Sequence, residues 1–229
     1  VYAGKTLDYT TDTLPVDISW FDNKRNVFLS ESSQFYLELR LLTQNIDKVF
    51  SIYNSFRKEK ADFCHLSEFQ HIEFEGKVSF DQNIGIFLGL MRHITKYLID
   101  NERESLEYFI GEEKSKELME AFSEGNIVTI TFKEALEALH KETGDDTYKE
   151  FSLKNFGAWE EIRLTEIFGK HVIVTEFPLL QIPFYHNELE EDEGGVPLAE
   201  NADFILCGYR ETVGSGSRIS SPEALREKA

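Results

Sequence analysis

DKVFSIYNSFRKE (47–59) and HLSEFQHIEFE (65–75) both alternate apolar and polar side chains with period two, the mark of strands with two unlike faces. In the first, Phe50, Ile52 and Phe56 share one face, while Tyr53, Ser55, Arg57 and Glu59 share the other. In the second, Ile72 and Phe74 oppose Phe69, His71, Glu73 and Glu75. The link from Lys60 to Ser67 predicts a hairpin with one dry and one polar face. An Arg fixed on a polar sheet face suits a phosphate oxygen or a carboxylate, because its planar fork donates two hydrogen bonds at once. Taken alone, Arg57 and Glu59 could be an ordinary ion pair. Phe69 shifts the balance: alternation puts a flat apolar ring beside the Arg, where it suits stacking a nucleobase.

Outward from this hairpin the pattern turns helical. Ser32 and Ser33 are good caps, and Phe35, Leu39 and Leu42 then recur at helical spacing, predicting a short helix with that stripe toward a core. Downstream, Ile84, Phe87, Leu88, Met91, Ile94 and Leu98 predict a long packing helix over 82–99. Thr131 and Glu134 form a capping-box pattern before a helix reaching about Lys141. Strands are expected at 171–177 and 202–210, and ELEEDEGG (188–195) reads as a solvated acidic loop. Residues 1–31 show turn and short-strand signals around Gly4, Pro15 and Asn23 without strong periodicity. The sum is α+β, with mainly antiparallel strands and helices packed on one side.

Composition narrows the function. The 229 residues are 41% hydrophobic and 29% charged, as in a soluble globular protein of one or two domains. No apolar run approaches the ~18 to 20 residues of a membrane helix, and the first residues lack a basic-then-apolar signal, so a cytosolic protein with no membrane partner is expected. The net charge of -18 disfavours extended nucleic-acid binding by this chain alone, since phosphates are neutralised by clustered Lys and Arg. Cys64 and Cys207 have no metal-ligand spacing and read as reduced thiols. The six histidines show no HExxH pairing, and no GxSxG is present, so zinc and nucleophilic catalysis are not expected.

A second constellation lies near the C-terminal end. Asp203 opens a strand, Glu211 follows it and Arg218 comes seven residues later. Two carboxylates converging on one volume are hard-oxygen ligands of the kind Mg2+ on ATP phosphates needs, although solvated strand-end charge reads the same way in sequence. Gly214 to Ser217, GSGS, lacks the Lys and following helix of a phosphate loop.

FLSESSQFYLE (28–38), DKVFSIYNSFRKE and HLSEFQHIEFE together resemble the run through motif 2 of asparaginyl- and aspartyl-tRNA synthetases, members of the class II aminoacyl-tRNA synthetases. EIFGKHVIVTEFP (166–178), PFYH (183–186) and ADFILCGYRETVGSGSRI (202–219) keep the same order and similar intervals. The resemblance implies a class II aminoacyl-tRNA synthetase-like antiparallel sheet flanked by helices, spanning 1–229 as one catalytic domain. It implies ATP and Mg2+: Arg57 on the α-phosphate, Phe69 under the adenine, Glu59 and His65 with the ATP, Asp203 and Glu211 on the metal, with Glu211 also near the ATP. Gln34 would bind the amino group of the substrate and Arg218 its side-chain oxygen. Aspartate-specific members carry a Lys where this chain has Leu37, which points to asparagine over aspartate, since a buried carboxylate needs a cationic partner and an amide does not.

The likeness is not complete. The motif-2 loop reads KADFCHL, one residue shorter than usual and with Cys64 where an Arg is common. Motif 1, the Gly-rich motif 3 with its ATP-binding Arg, and an anticodon-binding barrel are not visible in the 229 residues. Three readings follow: an asparaginyl-tRNA synthetase core acting as a homodimer, a tRNA-independent paralogue such as an amide-forming asparagine synthetase, and a non-catalytic interaction module.

Overall fold

The computed structural model describes residues 13–21, 26–58, 65–122, 125–151 and 156–228. They belong to two compact units, 1–78 and 79–229, each described by itself.

The first unit contains β1 (Pro15–Val16), β2 (Val27–Phe28), α1 (Gln34–Leu41), β3 (Lys48–Phe56) and β4 (Glu68–Gly76). The expected hairpin is present, β3 pairing antiparallel with β4 so that Ser55 faces Phe69, Tyr53 faces His71 and Ser51 faces Glu73. Its two faces are distributed opposite to expectation. Phe50, Ile52 and Ile72 are 72%, 59% and 52% exposed, whereas Ser55 on the polar face is fully buried. The start of α1 explains this reversal. The Ser33 backbone N–H donates to Tyr53 Oη at 2.6 Å and to Glu73 Oε2 at 2.8 Å, so the helix is drawn onto the polar face by hydrogen bonds. The α1 stripe is also corrected: Leu37 is the buried residue, while Leu39 and Leu42 are 62% and 80% exposed.

The second unit contains α2 (Phe80–Asn101), α3 (Arg103–Ile110), α4 (Glu112–Ala121), β5 (Ile127–Thr131), α5 (Phe132–Thr143), α6 (Ala158–Phe168), β6 (His171–Thr175), β7 (Glu188–Glu193), β8 (Val196–Ala199), β9 (Asn201–Ile205), β10 (Glu211–Gly216) and α7 (Pro222–Lys228). Four strands form one sheet in the order β10-β9-β6-β5, antiparallel except for the parallel pair β5 and β6. The expectation of helices on one side is overturned by alternation along β6. Val172 and Val174 pack with Phe132, Leu136, Leu139 and Leu164 from α5 and α6, while Ile173 packs with Phe87 and Phe122 beside Phe204. With both faces covered, every residue of β6 is buried, which explains its continuous apolar run. Each fully buried Phe or Leu of these layers contributes roughly 1.5–3 kcal/mol.

Local signals set the helix ends. Thr131 and Glu134 form the expected capping box on α5, and Ser79 with Gln82 forms another on α2. In α2 the expected stripe holds through Phe87, Leu88 and Met91, then rotates onto Thr95 and Ile99, leaving Ile94 exposed. Two strand readings are corrected. Residues 188–195 are not a loop: Gly194 and Gly195, both at positive φ, close a hairpin between β7 and β8. The strand expected over 202–210 ends at Ile205, and residues 206–210 turn back through Gly208 at φ +72°. The apolar run read as 171–177 gives a strand ending at Thr175. No helix among the described residues is long and apolar enough to cross a membrane.

Candidate functional site

In the first unit the polar face of β3–β4 carries Ser51, Tyr53, Ser55, His71 and Glu73. Arg57 follows on the same face, its N–H donating to Ser67 O at 3.0 Å and so extending the ladder by one step. That register makes Phe69 its diagonal neighbour, and the guanidinium carbon lies 5.6 Å from the Phe69 ring centroid, within cation–π range. Both side chains are half-buried, as is His65. Glu59 and Cys64 lie outside the described residues.

Glu73 organises this face. It accepts from Ser32 Oγ at 2.6 Å and Ser33 Oγ at 2.7 Å, in addition to the Ser33 N–H. Burial alone would raise its pKa, but the hydrogen bonds from Ser32, Ser33 and Tyr53 outweigh it and hold the carboxyl below its ordinary value. His71, 3.0 Å from Ser55 Oγ through Nδ1, is pushed down by burial and by Arg57, against the pull of Glu73. Gln34, at the first turn of α1, donates through Nε2 to Glu38 at 2.9 Å.

In the second unit the β9–β10 hairpin carries the two acids. Asp203 pairs with Gly214 across the ladder, after a bulge between Glu211 and Val213. A Cβ on Gly214 would stand 2.7 Å from Glu211 Oε1 and 3.7 Å from Asp203 Oδ1, so the missing side chain is the space the two carboxylates occupy. Burial, then the neighbouring charges of Glu211 and Glu161, raise the Asp203 pKa well above the usual carboxylate range. Glu161, from α6, was not singled out in the sequence, yet it is 8% exposed and accepts from the Glu211 N–H at 2.9 Å.

Arg218 has its own support. Its Nη1 donates to His186 Nε2 at 2.7 Å, and its guanidinium stacks 4.8 Å from the Tyr185 centroid. His186 Nδ1 lies 3.0 Å from Pro183 O, which can only accept, so Nδ1 bears the proton and Nε2 is the acceptor. Burial and Arg218 depress the His186 pKa to about 4. A Cβ on Gly216 would run into the His186 ring. The GSGS glycines are thus explained by space for neighbouring side chains. A separate cleft in this unit, lined by Lys133, Glu134, Phe151, Glu176 and Glu193, contains none of the expected residues.

The sequence model of the tRNA synthetases class II (D, K and N) matches residues 8–229. The chain belongs to that family. Among curated relatives, the asparagine–tRNA ligase of Thermus thermophilus is 28% identical over 237 residues, covering all of this chain and 51% of the relative. Among solved structures, the Pyrococcus horikoshii asparaginyl-tRNA synthetase complexed with asparaginyl-adenylate superposes with TM-score 0.78 at 23% identity, covering 95% of this chain and 47% of that one. The Entamoeba histolytica asparaginyl-tRNA synthetase with the same adenylate gives 0.77 at 21%, covering 94% and 46%. The Entamoeba histolytica aspartyl-tRNA synthetase gives 0.67 at 21%, covering 88% and 40%. These likenesses show the α+β class II fold. The chain spans about half the length of the relatives it matches.

Of the residues expected in this class II synthetase chain, Arg57 and Phe69 adjoin in one unit, and Asp203 and Glu211 adjoin in the other. Glu161, His186 and Tyr185 escaped the reading of single residues, because their importance lies in what they hold. The segment PFYH (183–186) carries the sequence signal for the last two.

Proposed function

We propose that this class II tRNA synthetase chain, residues 1–229, is a catalytic domain that activates asparagine with ATP and passes it to tRNA. The observation that carries the reading is the Arg57 guanidinium beside the Phe69 ring on a single polar sheet face. A phosphate reader next to a stacking ring is what an adenosine triphosphate requires.

In the first step a carboxylate oxygen of asparagine attacks the α-phosphorus in line. The bond from that phosphorus to the bridging oxygen of pyrophosphate breaks, giving asparaginyl-adenylate and pyrophosphate. The attacking carboxylate is already ionised, so no protein nucleophile or base is needed, and catalysis rests on positioning and charge stabilisation. Arg57 neutralises charge on the α-phosphate, Phe69 supports the adenine, and His65 and Glu59 complete the ATP contacts. Gln34, whose amide donates through Nε2 to Glu38, presents Oε1 as the acceptor an ammonium needs. Arg218, held by His186 and Tyr185, donates to the side-chain oxygen. The family's aspartate-specific Lys has no counterpart at Leu37, which is 8% exposed and carries no charge to meet a carboxylate. Asparagine is therefore preferred over aspartate.

Mg2+ is implied by the family, and the donor set fits it. Mg2+ binds through one or two carboxylates and completes its shell with phosphates and water. Asp203 and Glu211 supply such a pair, and no group of three His, Cys, Asp or Glu side chains is assembled among the described residues. Bound there, the ion would offset phosphate charge. A cytoplasmic homodimer completes the proposal. The net charge of -18 favours a second reading, in which a small acceptor such as ammonia replaces tRNA.

Asparagine-dependent exchange of pyrophosphate into ATP tests the activation step in the intact protein. Exchange with asparagine is expected to exceed that with aspartate, and exchange with no amino acid at all would leave only a non-catalytic role. Offering tRNA and then ammonia, and assaying charged tRNA against free amide, separates the two acceptors.

A further inference from the structure

Three buried side chains converge on the turn that precedes Glu211. The Cys207 N–H donates to His171 Nδ1 at 2.9 Å, the Gly208 N–H to Thr165 Oγ1 at 3.1 Å, and the Glu211 N–H to Glu161 Oε2 at 2.9 Å. Within the turn, Leu206 N–H donates to Arg210 O at 3.1 Å and Tyr209 N–H to Leu206 O at 2.8 Å. The acceptors come from outside the hairpin: Glu161 and Thr165 lie four residues apart on one face of α6, and His171 opens β6. They are 8%, 1% and 2% exposed, so each is fixed by packing before it meets the turn.

His171 is the most telling of the three. Because Nδ1 accepts from Cys207, the neutral ring carries its proton on Nε2, and Nε2 is buried with no hydrogen-bond partner among the described residues. The ring lies 4.4 Å from the Phe122 centroid and 5.5 Å from Phe204, surroundings that a phenylalanine would fill equally well. An apolar side chain there would avoid a buried unsatisfied donor, so packing does not explain the histidine. The Cys207 bond does. The Thr165 hydroxyl donates to Ile162 O at 2.8 Å within α6, and this leaves its oxygen directed to accept from the Gly208 N–H.

We infer that Glu161, Thr165 and His171 form a three-point clamp that fixes the 206–211 turn and thereby aims the Glu211 carboxylate at Asp203. They are positioning residues, acting on Glu211 through the backbone of the turn. Asp203 is placed by its own strand, but Glu211 lies at the exit of a turn and beside a bulge, where the backbone ladder alone does not set its direction. The clamp supplies what the ladder leaves open. The inference rests on the proposed role of Asp203 and Glu211 as a divalent-cation pair, and the experiment separates the two.

Backbone amide exchange and Mn2+ binding are measured on the full chain for His171→Phe, Thr165→Val, Thr165→Ser and Asp203→Asn. His171→Phe preserves ring packing and Thr165→Val preserves volume, and each removes one acceptor. Both are expected to speed exchange at Cys207, Gly208 and Glu211 together and to weaken Mn2+ binding, each by about tenfold, the scale of one buried hydrogen bond. His171→Phe should do so without lowering the melting temperature, and Thr165→Ser should restore the parent values. Parent exchange rates in both acceptor variants would overturn the clamp. Faster turn exchange with unchanged Mn2+ affinity would also overturn it, by showing that the turn does not aim the carboxylate. Mn2+ binding that is insensitive to Asp203→Asn would overturn the cation pair alone, while the exchange rates would still decide whether the clamp holds.

Discussion

In the β3–β4 hairpin, Arg57 and Phe69 adjoin because the ladder makes them diagonal neighbours on one face. In the β9–β10 hairpin, Asp203 and Glu211 adjoin although the ladder pairs Asp203 with Gly214 instead, through a bulge, an absent side chain and three anchors on α6 and β6. The first arrangement is local and period-driven. The second is assembled from residues as far as 50 positions apart. A side chain placed by strand period is robust to changes elsewhere, whereas one placed by distant anchors inherits their chemistry.

The largest test of the local arrangement is Arg57→Ala. If the guanidinium stabilises charge that develops at the α-phosphate, kcat/KM for pyrophosphate exchange should fall by roughly 10²–10³. Melting should be almost unchanged, since Arg57 is half-buried at the hairpin end. Full activity in this variant would remove Arg57 from the reaction.

The sequence made this arrangement legible because alternation alone puts Arg57 and Phe69 side by side. The anchored hairpin was only half legible. Asp203 and Glu211 could be singled out as a carboxylate pair, but Glu161, Thr165 and His171 read as ordinary helix and strand residues until the turn was seen resting on them. Glycine was silent in the same region: the GSGS run lacks the marks of a phosphate loop, and only the structure shows Gly214 and Gly216 as absent side chains that make room for Glu211 and His186. The same limit explains the acidic segment 188–195, where charge composition implied a loop and two glycines at positive φ made a hairpin.

A second test exploits the chemistry that the second unit inherits. His171 and His186 are buried, and burial depresses each pKa to about 4, with Arg218 adding to the effect at His186. Between their unfolded pKa of 6.5 and that value the unfolded chain binds more protons, so their contribution to stability is present above pH 6.5 and is lost as pH falls toward 4. From pH 7 to pH 5 the loss should be about 2 kcal/mol per histidine. Asp203 works in the opposite sense, its raised pKa favouring the folded state as pH falls, so the measurement belongs in Asp203→Asn. Urea unfolding of that variant should show stability falling on acidification, and replacing His171 by Phe should remove about 2 kcal/mol of the loss between pH 7 and pH 5. A flat profile would contradict the burial of both rings.

The smallest effects lie in the first unit, where the faces of one hairpin can be compared. Glu73→Ala would leave Ser32, Ser33 and Tyr53 without their shared acceptor, and a loss of about 1–3 kcal/mol in unfolding free energy is expected. Ile52→Ser, on the face that periodicity marks as dry, should change it by no more than about 0.5 kcal/mol, because the side chain is already 59% exposed. Chemical denaturation of the two variants under the same conditions measures the contrast directly. Equal losses would mean that the apolar face is covered in solution, and that alternation had identified the buried side after all. A large loss confined to Glu73→Ala would show that hydrogen bonds to one carboxylate, more than apolar burial, hold α1 to this hairpin.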